Sequence, residues 1–83
     1  MPVTLEHGGG ITRNVSSSGV FFETDQLLTP SAAINFSLEF ENAPAGPLRL
    51  KCEGRIVRVE QQVGKIGVAA TITSSRFTQQ SEI

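Results

Sequence analysis

The chain has 83 residues and a formal net charge of −1, with one cysteine, one histidine and neither tryptophan nor tyrosine. A chain of this length forms one small domain and leaves little room for an enclosed catalytic cleft. The near-zero charge gives no overall field that would attract DNA, RNA or an anionic membrane. The single cysteine, Cys52, excludes an internal disulfide and fits a reducing, cytoplasmic setting. No apolar run approaches the ~18 residues of a membrane span, so we expect no direct membrane insertion.

The first third of the chain predicts three short strands. Val3–His7 and Ile11–Val15 are the first two, and the glycines at 8–10 are predicted to form the turn between them. Three consecutive serines end the second strand, and Gly19–Thr24 forms the third. Two adjacent phenylalanines lie in this third strand, so we expect one to face the core and the other to be exposed to a protein contact.

A connection and a clear fourth strand follow. Leu27–Ala33, which includes Pro30, is predicted to connect the third strand to the fourth. Apolar and polar residues alternate strictly over Ile34–Glu41, which is typical of a strand with one face in the core and one in water. Residues 42–47 are rich in Pro and Gly and predict a loop.

Residues 48–72 predict a long hairpin with its turn at Gly64. The apolar phase slips at Ile56–Val57, which indicates a β-bulge or sharp bend near Gly54. Cys52 lies in the apolar phase and is expected to be an inert core residue.

One face of this hairpin carries three cations. Arg49, Lys51 and Arg55 share that face, but Glu53 interrupts them. We therefore expect a mixed solvated face rather than a binding stripe.

Six short strands separated by turns predict an all-β fold, a small six-stranded antiparallel barrel, because closure removes exposed sheet edges. We expect a single domain over residues 1–83, with the barrel over about residues 3–72 and a polar tail over residues 73–83. Ser74 or Ser75 is a suitable N-cap, so the tail has the start signal of a short C-terminal helix.

One motif points to a family. The segment Asn14-Val15-Ser16-Ser17-Ser18-Gly19 resembles the Asp/Asn-x-Ser-x-x-Gly pattern of PilZ domains, which are bacterial receptors for the second messenger cyclic di-GMP. The order of elements after it is also similar, including the segments at 54–57 and 67–69. The resemblance covers residues 3–72, nearly the whole chain, and it implies a PilZ-like barrel and a signalling function.

The resemblance also implies a binding site. By resemblance, Asn14 bonds a guanine edge, Ser16 gives its hydroxyl to the base or a phosphate, and Gly19 lets the ligand approach the backbone. Arg13 is the only arginine near the motif, and it is read either as a ligand contact or as a salt-bridged strand residue. Beyond cyclic di-GMP as ligand, no cofactor and no metal site are expected.

PilZ receptors also carry an Arg-x-x-x-Arg segment just before the first strand, and these 83 residues contain none. Either the arginines were lost or the chain begins inside a longer protein. Two missing charge-assisted contacts, at about 1.5–3 kcal/mol each, correspond to about two to four decades of affinity. We therefore expect weak or lost binding of the nucleotide by this chain.

Other functions remain in view. The main alternative is a ligand-independent adaptor, a degenerate PilZ domain that binds a protein partner or associates with itself. An enzyme is not predicted, because there is no Gly-x-Ser-x-Gly elbow and one histidine with one cysteine supplies neither a triad nor a metal site. An oligonucleotide-binding barrel would need exposed aromatics with basic neighbours, whereas the phenylalanines here lie mostly in core phase.

Overall fold

Six antiparallel strands close into a barrel. The computed structural model describes residues 1–6, 8–40, 44 and 46–79. The strands are β1 (Pro2–Leu5), β2 (Gly8–Val15), β3 (Gly19–Thr24), β4 (Ala33–Phe40), β5 (Leu48–Gln62) and β6 (Lys65–Gln79). They pair in the closed order β1-β2-β3-β6-β5-β4. The predicted all-β, six-stranded antiparallel barrel is therefore confirmed.

The core lies inside the barrel, and strand alternation fills it. In β3 and β4 every second side chain points inward, and Phe22 and Leu38 are completely buried. Cys52 is 2% exposed, as its apolar phase predicts. The buried cluster consists of Val3, Leu5, Val20, Phe22, Ile34, Phe36, Leu38, Cys52, Ile56, Val68 and Ala70.

The predicted long hairpin is formed by β5 and β6. Gly64 takes a φ of 76° in the turn between them, a left-handed conformation that glycine adopts without steric cost. The pairing register shifts between Glu53 and Gly54 and again between Ile56 and Arg58. The first shift lies at Gly54 and the second at the phase slip of Ile56–Val57, so the predicted irregularity is confirmed. Bulges of this kind help a long hairpin to curl.

The glycines at 8–10 are part of a strand, so the predicted turn there is wrong. β1 ends at Leu5, and Gly8, Gly9 and Gly10 pair with it as the first residues of β2. The missing side chains serve close packing, because a Cβ on Gly10 would lie 2.4 Å from the Glu23 carbonyl oxygen. His7 lies outside the described residues, as do residues 42, 43 and 45 of the predicted loop at 42–47.

The last strand is longer than the sequence predicts. β6 runs to Gln79, so residues 74–79 form a strand and the predicted helix start at Ser74 or Ser75 is wrong. These residues pair with the first half of β5, and the Thr73 and Thr78 hydroxyls donate to β5 carbonyls. Pairing along a neighbouring strand outweighs the weak capping signal of a serine. Residues 80–83 lie outside the described part of the chain.

The lengthened hairpin extends beyond the closed barrel. β3 covers β6 only as far as Thr71, and the Ile72 amide then donates to the Ser18 carbonyl at 2.9 Å. Among the described residues, those of β6 beyond Ile72 pair with β5 alone. Phe77 on this segment is 60% exposed and contacts Phe40 with ring centroids 5.8 Å apart.

Candidate ligand-binding site

The motif forms the tight turn between β2 and β3. The Ser16 amide donates to the Gly19 carbonyl at 2.9 Å, which closes the turn. The Ser16 hydroxyl lies 3.4 Å from both the Gly19 carbonyl oxygen and the Ser18 amide nitrogen. These contacts are at the long end of hydrogen-bond geometry, so the hydroxyl can leave them for a ligand at small cost.

Gly19 has a packing role in the barrel. A Cβ at this position would lie 3.1 Å from the Ala70 carbonyl oxygen on β6. An added Cβ would therefore require the β6 backbone to shift by a few tenths of an ångström. The close approach to β6 is a structural reason for a small residue here that exists without any ligand.

A β-bulge orients Asn14. The β2–β3 register shifts between Thr12 and Asn14, which leaves Arg13 as the extra residue. Asn14 then pairs with Phe21, and its side chain is exposed on the outer face of the barrel. The bulge thus orients the Asn14 side chain toward the side of the barrel on which the β2–β3 turn lies.

A shallow open depression of about 240 Å³ lies at this place on the barrel. Three of the four residues predicted for the site, Asn14, Ser16 and Gly19, line it together with Val20 and Phe21. The structure therefore brings the Asn, Ser and Gly of the motif together. None of these described lining residues is a Lys or Arg, so local positive charge must come from outside the depression.

Arg13 does not line the depression. Its Nε lies 2.8 Å from Glu23 Oε1, and Lys65 Nζ lies 3.1 Å from the other oxygen of the same carboxylate. The Glu23 side chain is 15% exposed, and the bond from Lys65, helped by Arg13, lowers the pKa of Glu23. Of the two interpretations of Arg13, the structure favours the salt-bridged strand residue, because its guanidinium already binds Glu23.

Phe21 is a site residue that the motif alone does not reveal. Its side chain is half-buried, and a Cβ on Gly67 would come within 2.8 Å of the Phe21 ring, so the ring lies directly over this glycine. An aromatic ring on the wall of a depression offers a stacking surface for a base. The adjacent pair at 21–22 was the available signal, since Phe22 is buried and Phe21 takes the outer face.

Among the described residues, no three His, Cys, Asp or Glu side chains lie close enough together to hold a metal ion. The same part of the chain contains no helix long and apolar enough to cross a membrane.

The chain is thus a small closed antiparallel barrel with a polar turn, ending in a glycine, between β2 and β3. The PilZ domain profile matches residues 2–82. The chain therefore belongs to the PilZ domain family, whose members are binding and signalling modules of the cyclic di-GMP receptor type. Searches of curated proteins and of solved structures found no match.

Proposed function

We propose that this domain is a non-enzymatic, cytoplasmic signalling module that recognises cyclic di-GMP weakly through the depression at the β2–β3 turn. The observation that carries the proposal is the convergence of Asn14, Ser16 and Gly19 on one depression beside the Phe21 ring. Asn14 offers an amide to a guanine edge, Ser16 a hydroxyl to a base or phosphate, and Phe21 a face for stacking.

Weak affinity follows from the electrostatics of this site. Phosphate recognition relies on cations or clustered N–H donors, and charge-assisted contacts are the strong ones. The nearest arginine along the chain is Arg13, and its Nε lies 2.8 Å from Glu23 Oε1. The 83 residues contain no Arg-x-x-x-Arg segment. A ligand must therefore compete with Glu23 for Arg13 or bind through neutral hydrogen bonds and stacking.

Isothermal titration calorimetry of the whole chain with cyclic di-GMP tests this function. We expect a dissociation constant at least about two decades weaker than that of a variant extended at its N-terminus by an Arg-x-x-x-Arg segment. Asn14→Ala should weaken binding by about fivefold to tenfold, the value of one hydrogen bond near 1 kcal/mol. Gln61→Ala, which removes an exposed amide from β5, should leave the affinity unchanged.

The outcomes separate the parts of the proposal. Tight binding by the unextended chain would contradict weak affinity. Equal effects of Asn14→Ala and Gln61→Ala would remove the site from the β2–β3 turn. No heat from either the chain or the extended variant would exclude the ligand and leave the adaptor function.

The second candidate is an adaptor that associates with itself, and the exposed end of β6 favours it. Among the described residues, β6 beyond Ile72 has one partner strand, and such an edge is a template for pairing with another strand. Antiparallel pairing of two copies about Ser75 places Arg76 opposite Ser74 of the second copy, which avoids contact between like charges. The same pairing brings the two exposed Phe77 side chains onto one face.

Sedimentation equilibrium tests the adaptor function. Phe77→Ser should shift the chain toward monomer, because it removes the apolar contribution of a side chain that is 60% exposed in the single copy. Val63→Ser is the matched control, since Val63 is fully exposed in the turn at the other end of the hairpin. A wild-type chain that stays monomeric at high concentration excludes self-association.

A further inference from the structure

Two of the seven basic side chains differ from the rest in having no ion-pair or hydrogen-bond partner among the described residues. Five are held by an acceptor: Arg13 and Lys65 by Glu23, Arg49 by Glu39, Arg58 by Glu60, and Arg55 by the Ser31 carbonyl, all within 3.1 Å. Lys51 and Arg76 have neither an ion pair nor a hydrogen bond from their side chains to any other described residue. Their charges are therefore available to a ligand.

These two cations are direct neighbours. Lys51 on β5 and Arg76 on β6 are opposite each other in the sheet, and both are exposed on its outer face. Like charges directly opposite each other destabilise a sheet. An anion placed between the two side chains converts this repulsion into two charge-assisted bonds.

The pair lies on the wall of an open groove of about 560 Å³. Thr4 of β1 and Ser37 of β4 continue the same cross-strand row as Lys51. The Thr4 hydroxyl donates to Glu39 at 3.3 Å, so Ser37 is the hydroxyl that this row offers to a ligand. The volume lies within the range of about 300–1,000 Å³ that is typical of small-molecule sites.

The facing wall carries the opposite charge. Glu6 and Glu53 line it, and Glu53 follows Lys51 on the same face of β5. These carboxylates repel an anion that has no hydrogen-bond donors, but they accept hydrogen bonds from N–H or O–H groups. A matching ligand therefore carries a phosphate at one end and hydrogen-bond donors at the other.

From this arrangement we infer that the groove binds a nucleoside monophosphate, with the phosphate between Lys51 and Arg76 and the donors of the base at Glu53. Guanine fits best, because its amino group and ring N–H present adjacent donors to one carboxylate. The groove is lined by residues of β1, β4, β5 and β6, and none of them belongs to the β2–β3 turn. It is a second site, and it does not depend on the function proposed for Asn14.

A titration of the isotope-labelled whole chain with GMP, followed by amide chemical shifts, tests the inference. We expect the shifts to move around Ser37 and Lys51 and to give a dissociation constant in the millimolar range or tighter. Guanosine, which lacks the phosphate, and inorganic phosphate, which lacks the base, should each bind more weakly than GMP. Lys51→Gln and Arg76→Gln should each weaken GMP binding by about tenfold or more, the value of a lost charge-assisted bond.

Two further variants provide a control and a test of the role of Glu53. Arg58→Gln is the matched control, because Arg58 is an exposed cation on β5 that is already paired with Glu60. It should leave the affinity for GMP within about twofold of wild type. Glu53→Gln should weaken GMP binding but strengthen the binding of inorganic phosphate, since it removes both an acceptor for the base and a repelling charge.

Folding of the variants is read from unliganded thermal melts. Lys51→Gln and Arg76→Gln should unfold at or above the wild-type temperature, because each relieves the cross-strand repulsion. The inference is overturned if GMP gives no shifts at millimolar concentration or shifts only the β2–β3 turn. It is also overturned if Lys51→Gln behaves like Arg58→Gln, or if phosphate binds as well as GMP.

Discussion

Gly54 is the position at which one added methyl group tests the barrel geometry most directly. A Cβ built on Gly54 would lie 1.7 Å from the Thr71 carbonyl oxygen and 2.9 Å from the carbonyl carbon. The first distance is about 1.3 Å short of the 3.0 Å below which real Cβ contacts are essentially absent. Both groups belong to paired backbone, so no side-chain rotation can relieve the clash.

We therefore expect Gly54→Ala to force β5 and β6 apart at the bulge. Overpacking costs about 1–3 kcal/mol in most cores, and the lost ladder hydrogen bonds add about 1 kcal/mol each, so the expected loss exceeds about 3 kcal/mol. A chain of 83 residues has about 4–12 kcal/mol of stability in total. At about 4–8 °C per kcal/mol, Tm should fall by about 12 °C or more.

Far-UV circular dichroism during thermal and urea unfolding measures the change, since the chain has no tryptophan or tyrosine for intrinsic fluorescence. Gly8→Ala is the control, because a Cβ on Gly8 meets only the Gln26 side chain at an ordinary 3.4 Å. That variant should be neutral or more stable by up to about 1 kcal/mol. A free energy of unfolding for Gly54→Ala within about 1 kcal/mol of wild type would refute the argument.

Three further predictions concern single side chains. Burial raises the pKa of the Cys52 thiol in the folded state. The contribution of this thiol to stability is therefore present below its unfolded-state pKa near 9 and is lost as pH rises through the higher folded-state pKa. Cys52→Ala should flatten the alkaline limb of a plot of Tm against pH. Lys65 and Arg13 lower the pKa of Glu23, so the contribution of Glu23 to stability is present above its unfolded-state pKa near 4.5 and is lost as pH falls through the lower folded-state pKa. Glu23→Gln should flatten the acid limb of the plot of Tm against pH, and an unchanged acid limb would contradict this. Phe22→Ala should cost about 3–5 kcal/mol in urea unfolding because the ring is fully buried, whereas Phe77→Ala should cost less than about 1 kcal/mol, and equal losses would contradict the assignment of the core.

Much of the fold could be predicted from alternation. Period two identifies which side chains of a strand share a face, and the core positions in β3 and β4 follow from it. The phase slip at Ile56–Val57 likewise located the bulges of the hairpin. The glycines at 8–10 were misread, because close packing against Glu23 and a turn both require a missing Cβ.

Part of the candidate site could be predicted from the sequence. The motif predicted Asn14, Ser16 and Gly19, and the structure brings these three to one depression. The role of Arg13 depended on Glu23, which lies on the neighbouring strand and shares no local pattern with it. Phe21 joined the site for the same reason, since the β2–β3 register sets it beside Asn14.

The class of fold, the inward faces of the strands and the β2–β3 motif could be predicted from the amino-acid sequence, because these depend on neighbours along the chain. The extent of β6 to Gln79 and the position of Lys51 opposite Arg76 became visible only in the folded barrel. Whether a charge finds a partner depends on which strands pair and in what register. In the β5–β6 hairpin the register starts at the turn and is then shifted at both bulges, so residues far from Lys51 along the chain decide what stands opposite it.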